Sequence, residues 1–214
     1  MRESIFISMG RPETNHARMS AMTQLGNGLS EAELDEEALT VGEAELSMRR
    51  RMGASEERML VVQANLAVSY EKLGQSEKAL PMQRDVYRGR LKLHGEEDEK
   101  TLRAATNYAS SLRDQRLFEE AKSLLLKTIP VARRVLGEGH RITLKIRWTY
   151  AEALYKDDGA TLDDLREAVT TLEDTARIAR RVFGGAHPIT VGIAQHLRAA
   201  RAALAARETP SPSA

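Results

Sequence analysis

Residues 96–137 read EEDEKTLRAATNYASSLRDQRLFEEAKSLLLKTIPVARRVLG, from Glu96 to Gly137, and this stretch decides the fold. Leu102, Ala105, Ala109 and Leu112 recur at three- and four-residue spacing and so share one face of a helix. Phe118, Ala121, Leu125, Ala132 and Leu136 repeat that pattern in the second half. Two amphipathic helices joined by a short turn form an antiparallel hairpin. The acidic run Glu96 to Glu99 sits where a helix N-terminus favours negative charge. Pro130 falls deep inside the second helix, and the stripe continues in phase across it, which predicts a kink rather than a break.

The same hairpin recurs along the chain. Gly53, Gly95, Gly137 and Gly184 each close a helix-like run, with intervals of 42, 42 and 47 residues. Thr101, Thr143 and Thr190 stand six residues after three of these glycines, and Asn65 and Asn107 twelve after the first two. Leu60, Ala64, Ala67 and Tyr70 make the first stripe of the preceding unit, and Ala79, Leu80, Val86, Tyr87 and Leu91 the second. In the following unit Leu144, Trp148, Ala151 and Leu154 pair with Leu165, Ala168, Leu172, Ala176 and Ala179. Its five extra residues fall between the helices, around Asp157–Ala160, where Thr161 and Asp164 have capping-box spacing. A period of this length means stacked units that share a continuous core.

Composition agrees with helices and excludes several functions. Aromatic residues are 4% of the 214, and Ala, Leu, Glu and Arg dominate. Charged residues are 29% with a net charge of +1, which provides no global field for nucleic acid or an anionic membrane. No cysteine is present, so disulfides, thiolate metal sites and cysteine nucleophiles are absent, as suits a cytoplasmic protein. No apolar run approaches the roughly 20 residues that span a bilayer.

The fold class expected is therefore all-α, built of antiparallel helix hairpins with repeats of about 42 residues. Residues 1–18 are expected to be a poorly ordered N-terminal segment. The repeat domain covers 19–208, with units 19–53, 54–95, 96–137 and 138–184 and a half-unit 185–208. Residues 209–214, rich in Pro and Ser, form a disordered tail. In the first unit, Ser30 to Glu33 has capping-box spacing and predicts a long helix from there to about Met52. Its partner would lie around Met19 to Leu29, weakened by Gly26 and Gly28.

Each hairpin resembles a tetratricopeptide repeat, on the small residues Ala67, Ala109 and Ala151 in the first helix and Ala79, Ala121 and Ala168 in the second. The longer unit resembles the repeat domain of kinesin light chains. The residues that carry this are Leu136-Gly137 with His140 and Thr143-Leu144, Phe183-Gly184 with His187-Pro188 and Thr190, Asn65-Leu66-Ala67 and Asn107-Tyr108-Ala109. The likeness spans Ala54 to Arg207. It implies a right-handed α-α superhelix, a tetratricopeptide-like solenoid, whose first helices line a concave groove that binds a peptide or protein segment. The groove positions it implies are Asn65, Arg103, Asn107, Ser110, Arg113, Lys145, Trp148 and Glu152, with Gln195 and His196 at the end.

Asparagine amides there can bond an extended peptide backbone, or instead bond neighbouring helices. Arg103, Arg113 and Lys145 attract acidic groups, or are simply solvated. Trp148, the sole tryptophan, is a binding anchor if exposed and a core residue if it lies between hairpins, the commoner place for a lone helical tryptophan. His140 and His187 occupy equivalent loop positions, which argues for a structural role.

No metal site is expected, because the aspartates at 157, 158, 163 and 164 lack the ligand alternation of a calcium loop. No phosphate loop or catalytic grouping stands out, so neither an enzyme nor a cofactor is expected. The expected partner is an unidentified, acidic protein or peptide. The alternative is self-association through oppositely charged ends, from Glu31–Glu45 acidic residues at one end to Arg177–Arg207 basic residues at the other.

Overall fold

The computed structural model describes residues 12–209, with side chains from residue 17 onward. The described residues form nine helices that pack as sequential hairpins. They are α1 (Pro12–Glu31), α2 (Asp35–Arg51), α3 (Glu56–Lys72), α4 (Ser76–His94), α5 (Glu99–Asp114), α6 (Phe118–Leu136), α7 (Arg141–Tyr155), α8 (Leu162–Phe183) and α9 (Pro188–Glu208). None of them is long and apolar enough to cross a membrane. The chain divides into two compact units, residues 1–93 and 94–214.

The first unit differs from its sequence-based outline. Residues 12–18, expected to precede the repeats, already belong to α1. Proline is favoured at a first helical position, where its missing N–H costs nothing. Ser30 does not cap a helix; α1 runs through it, and the next helix starts at Asp35. The turn comes at Glu33, whose φ of 61° ends α1, with Leu34 N donating to Leu29 O at 2.9 Å. Residues 1–11 and 210–214 lie outside the described part.

In the same unit Leu46, Val62, Leu66, Tyr70 and Ala79 form the core. Burying a side chain of leucine size contributes about 1.5–3 kcal/mol. Tyr70 closes this core with its hydroxyl donating to Glu43 Oε1 at 2.6 Å. That bond, with burial, pushes the phenol up to about 12.

The second unit carries the larger core. Leu125, Leu144, Ile146, Leu172 and Ile193 are fully buried between α5, α6, α7, α8 and α9. The paired alanines explain why the helices of a hairpin approach closely. Ala109 and Ala121 in one hairpin, and Ala151 and Ala168 in the next, have no exposed surface. The repeated threonines Thr101, Thr143 and Thr190 are buried at first-helix starts. The Thr143 hydroxyl donates to Ala132 O at 3.3 Å and so ties α7 to α6. Helix α6 runs unbroken through Pro130, as the in-phase stripe requires.

Between hairpins, the glycines serve one conformation. Gly137 and Gly184 end α6 and α8 at φ 87° and 86° with ψ 162° and 165°, a region essentially closed to other residues. Three residues later His140 and His187 cap the next helices. Their Nδ1 atoms accept from the backbone N–H of Ile142 (3.3 Å) and Ile189 (3.2 Å). Asp98 does the same for α5, accepting from Lys100 N and Thr101 N. The aspartates of the insertion are turn and cap groups: Asp157 accepts from Gly159 N, and Thr161 with Asp164 forms the capping box.

Candidate functional site

Within the second unit the first helices pack side by side, α5 on α7 and α7 on α9. Their outward-facing positions repeat at the same register. Eight residues after Gly95, Gly137 and Gly184 stand Arg103, Lys145 and Gly192. A cavity of about 440 Å³ opens on this face. Its cations are Arg103, Arg141 and Lys145, all exposed, with Thr106 and the half-buried Asn107 between them. Its apolar wall is Ile142, Trp148, Pro188 and Ile189. No carboxylate lines it. Arg103 Nη2 contacts Glu99 one turn earlier at 2.9 Å, an exposed pair that water screens.

Trp148 is both core and wall. It packs against the buried cluster of the unit while lining the cavity, and it is half-buried. Its ring meets His196 edge-on, with centroids 5.2 Å apart and planes at 61°. The two places open to a lone tryptophan are thus occupied together, because α9 supplies one side of the ring and the cavity the other.

Below Trp148 on the same face lies a polar cluster. Glu152, 6% exposed, receives Arg113 Nη1 at 2.6 Å and Lys156 Nζ at 2.6 Å. His196 Nδ1 is 3.2 Å from Glu152 Oε1 and 2.7 Å from the Tyr155 hydroxyl. Burial holds the His196 imidazole below its usual range, with Lys156 and Arg113 pushing the same way and Glu152 opposing. Burial, then the Glu152 charge, pushes Tyr155 up to about 12. At neutral pH the His196 imidazole is therefore neutral.

Of the sequence-predicted positions, Arg103, Asn107, Lys145 and Trp148 meet at the cavity. Arg113 and Glu152 are placed on the face but spend their charge on each other. Ser110 is half-buried on α5, away from the cavity lining. Asn65 belongs to the first unit, where its Nδ2 donates to Asn27 Oδ1 at 3.0 Å. Sequence reasoning missed Arg141, Thr106, Ile142, Pro188 and Ile189. Arg141 could have been found, because it lies four residues before Lys145 and so one turn along the same helix face. Among the described residues no group of His, Asp and Glu could hold a metal ion.

The tetratricopeptide repeat family pattern matches residues 60–99 and 101–142. Residues 60–142 thus carry two tetratricopeptide repeats, a repeat class that generally serves as a protein-binding scaffold and is typically non-catalytic. No curated protein matches the sequence.

Among solved structures, it is similar to the nearly identical TPR-like repeats of a candidate kinesin light chain from Podosopora anserina. That structure is 21% identical, covers 89% of each chain and has a TM-score of 0.71. A single-residue variant of those repeats gives a TM-score of 0.73 at 21% identity, covering 89% of this chain and 88% of that one. BtubC (BKLC) from P. vanneervenii is 15% identical, with a TM-score of 0.67, covering all of this chain and 90% of its own. At these identities the likeness is one of fold.

Proposed function

We propose that the α5–α7–α9 face binds an extended, acidic segment of a partner protein. The observation that carries this is the cavity lining: three cations, one tryptophan and no carboxylate. Arg103, Arg141 and Lys145 attract carboxylates and steer approach, and Asn107 offers an amide donor and acceptor to a peptide backbone. Trp148 with Ile142 and Ile189 takes an apolar side chain adjacent to the acidic group. Arg113 and Glu152 hold the face in shape and leave the contact to the cations above them. Exposed cations contribute modestly, so the affinity falls in the micromolar range and weakens with salt.

Fluorescence titration with acidic and charge-balanced peptides of equal length tests this, since Trp148 is the only tryptophan. Acidic peptides are expected to bind tightest, and Arg103→Glu with Lys145→Glu to weaken them at least about tenfold. Equal binding of both peptides, or wild-type affinity in the charge-reversed variant, overturns the reading. Light scattering across salt concentration on the same samples identifies the alternative, a salt-sensitive assembly of the chain with itself.

A further inference from the structure

Gly192 lies in the second turn of α9, where a helix gains nothing from glycine. A Cβ built there would stand 2.5 Å from Trp148 Cη2, 3.2 Å from Cζ2 and 3.3 Å from Cζ3. Contacts under 3.0 Å are sterically closed, so the indole fills the space that any other residue's side chain would need. At the same register the two preceding first helices carry Arg103 and Lys145, whose long side chains reach out over the face. At α9 the register position is empty, and the benzo edge of Trp148 lies back into it.

We propose that Gly192 is a positioning residue that seats Trp148 against α9, keeps the cavity open and sets its apolar wall. The proposal rests on the reading of that cavity as the peptide site only for its consequence on binding; the packing claim stands apart from it. A methyl at position 192 displaces the ring away from α9, toward the cavity that Trp148 lines. Because α7 and α9 also carry the core on either side of this contact, the ring rather than the helices gives way. Selectivity for an apolar group beside the cations is then a property of one backbone position that itself touches no ligand.

The lone tryptophan makes this directly measurable. In Gly192→Ala, Trp148 emission is expected to shift to longer wavelength, acrylamide quenching to rise, and the melting temperature to fall. A glycine-to-alanine change inside an unobstructed helix does the opposite, raising the melting temperature by about 2–4 °C. Adding Trp148→Phe removes the atoms nearest position 192. The double variant is therefore expected to melt higher than Trp148→Phe alone.

Unchanged emission with a raised melting temperature in Gly192→Ala overturns the proposal. So does a double variant that melts below Trp148→Phe, which also covers the case in which the single variant fails to fold. If the fluorescence and melting changes occur and wild-type protein binds no acidic peptide, the positioning role holds and the peptide reading fails. If wild type binds, Gly192→Ala is expected to weaken binding about tenfold.

Discussion

Arg113 Nη1 stands 2.6 Å from Glu152 Oε2, joining α5 to α7, with side-chain exposures of 14% and 8%. Both groups come from successive first helices and neither is free for a ligand. Removing one partner leaves the other, still held by Lys156 in the case of Glu152 and by Asp114 in the case of Arg113, with its pairing incomplete, which costs more than the pair contributes. Arg113→Ala and Glu152→Ala are each expected to lose about 2–4 kcal/mol in urea unfolding. An Arg113→Met/Glu152→Leu double variant should recover most of that. A double variant no better than the sum of Arg113→Met and Glu152→Leu measured singly shows that the two do not act as a pair.

His196 makes stability depend on pH. Its folded value lies below the usual 6.5 because of burial, with Lys156 and Arg113 adding to the effect and Glu152 opposing it. The unfolded chain therefore takes up this proton first as pH falls, and stability is lost from about 6.5 downward through the lower folded value. Above that window the group contributes nothing. Thermal melts at successive pH values should show a drop on acidification that His196→Gln lacks. Parallel curves for the two proteins would contradict this.

Arg116 sits at φ 61°, at the turn position where the preceding hairpin has Gly74 at φ 69°. The bonds are also equivalent: Gln75 N donates to Tyr70 O at 2.8 Å, and Leu117 N to Leu112 O at 2.9 Å. A left-handed residue with a Cβ costs about 1–2 kcal/mol, whereas the Arg116 contacts to Asp158 and Phe118 are exposed or edge contacts of low value. Arg116→Gly is expected to stabilise by about 0.5–1 kcal/mol, and Gly74→Ala to destabilise by about 1 kcal/mol. Denaturant midpoints measure both.

Asp164 returns the cap that Thr161 gives. Thr161 N donates to its Oδ2 at 2.8 Å, and Asp164 N to Thr161 Oγ1 at 3.1 Å. The hydrogen bonds from Thr161 hold the Asp164 carboxyl below its usual range. The stabilisation is thus present above the ordinary carboxylate value and is lost as pH falls through the depressed one. Asp164→Ala should cost about 1 kcal/mol at pH 7 and progressively less in acid, by chemical unfolding at each pH.

The period, the hairpins and the cap histidines were legible because each is a local property. Gly137 and Gly184 mark a backbone conformation, His140 and His187 sit at a fixed offset from them, and Thr161 with Asp164 is a four-residue signal. The first unit was misread at Ser30, since a capping-box spacing inside a helix looks the same as one at its start. Only the left-handed Glu33 separates the two. On the face, Arg103 and Lys145 share one register, while Arg113 and Glu152, at two other register positions, pair with each other across α5 and α7.

The nine-helix repeat order in outline and the insertion around Asp157–Ala160 could be read from the sequence alone, because periodicity and capping depend on neighbours within one turn. Tertiary structure decided which cations line the cavity, how Trp148 divides between core and cavity, and how closely Trp148 approaches Gly192. Those facts depend on distances between side chains some 40 residues apart, such as Arg113 to Glu152. Close packing between helices fixes such distances, and no short-range pattern encodes them.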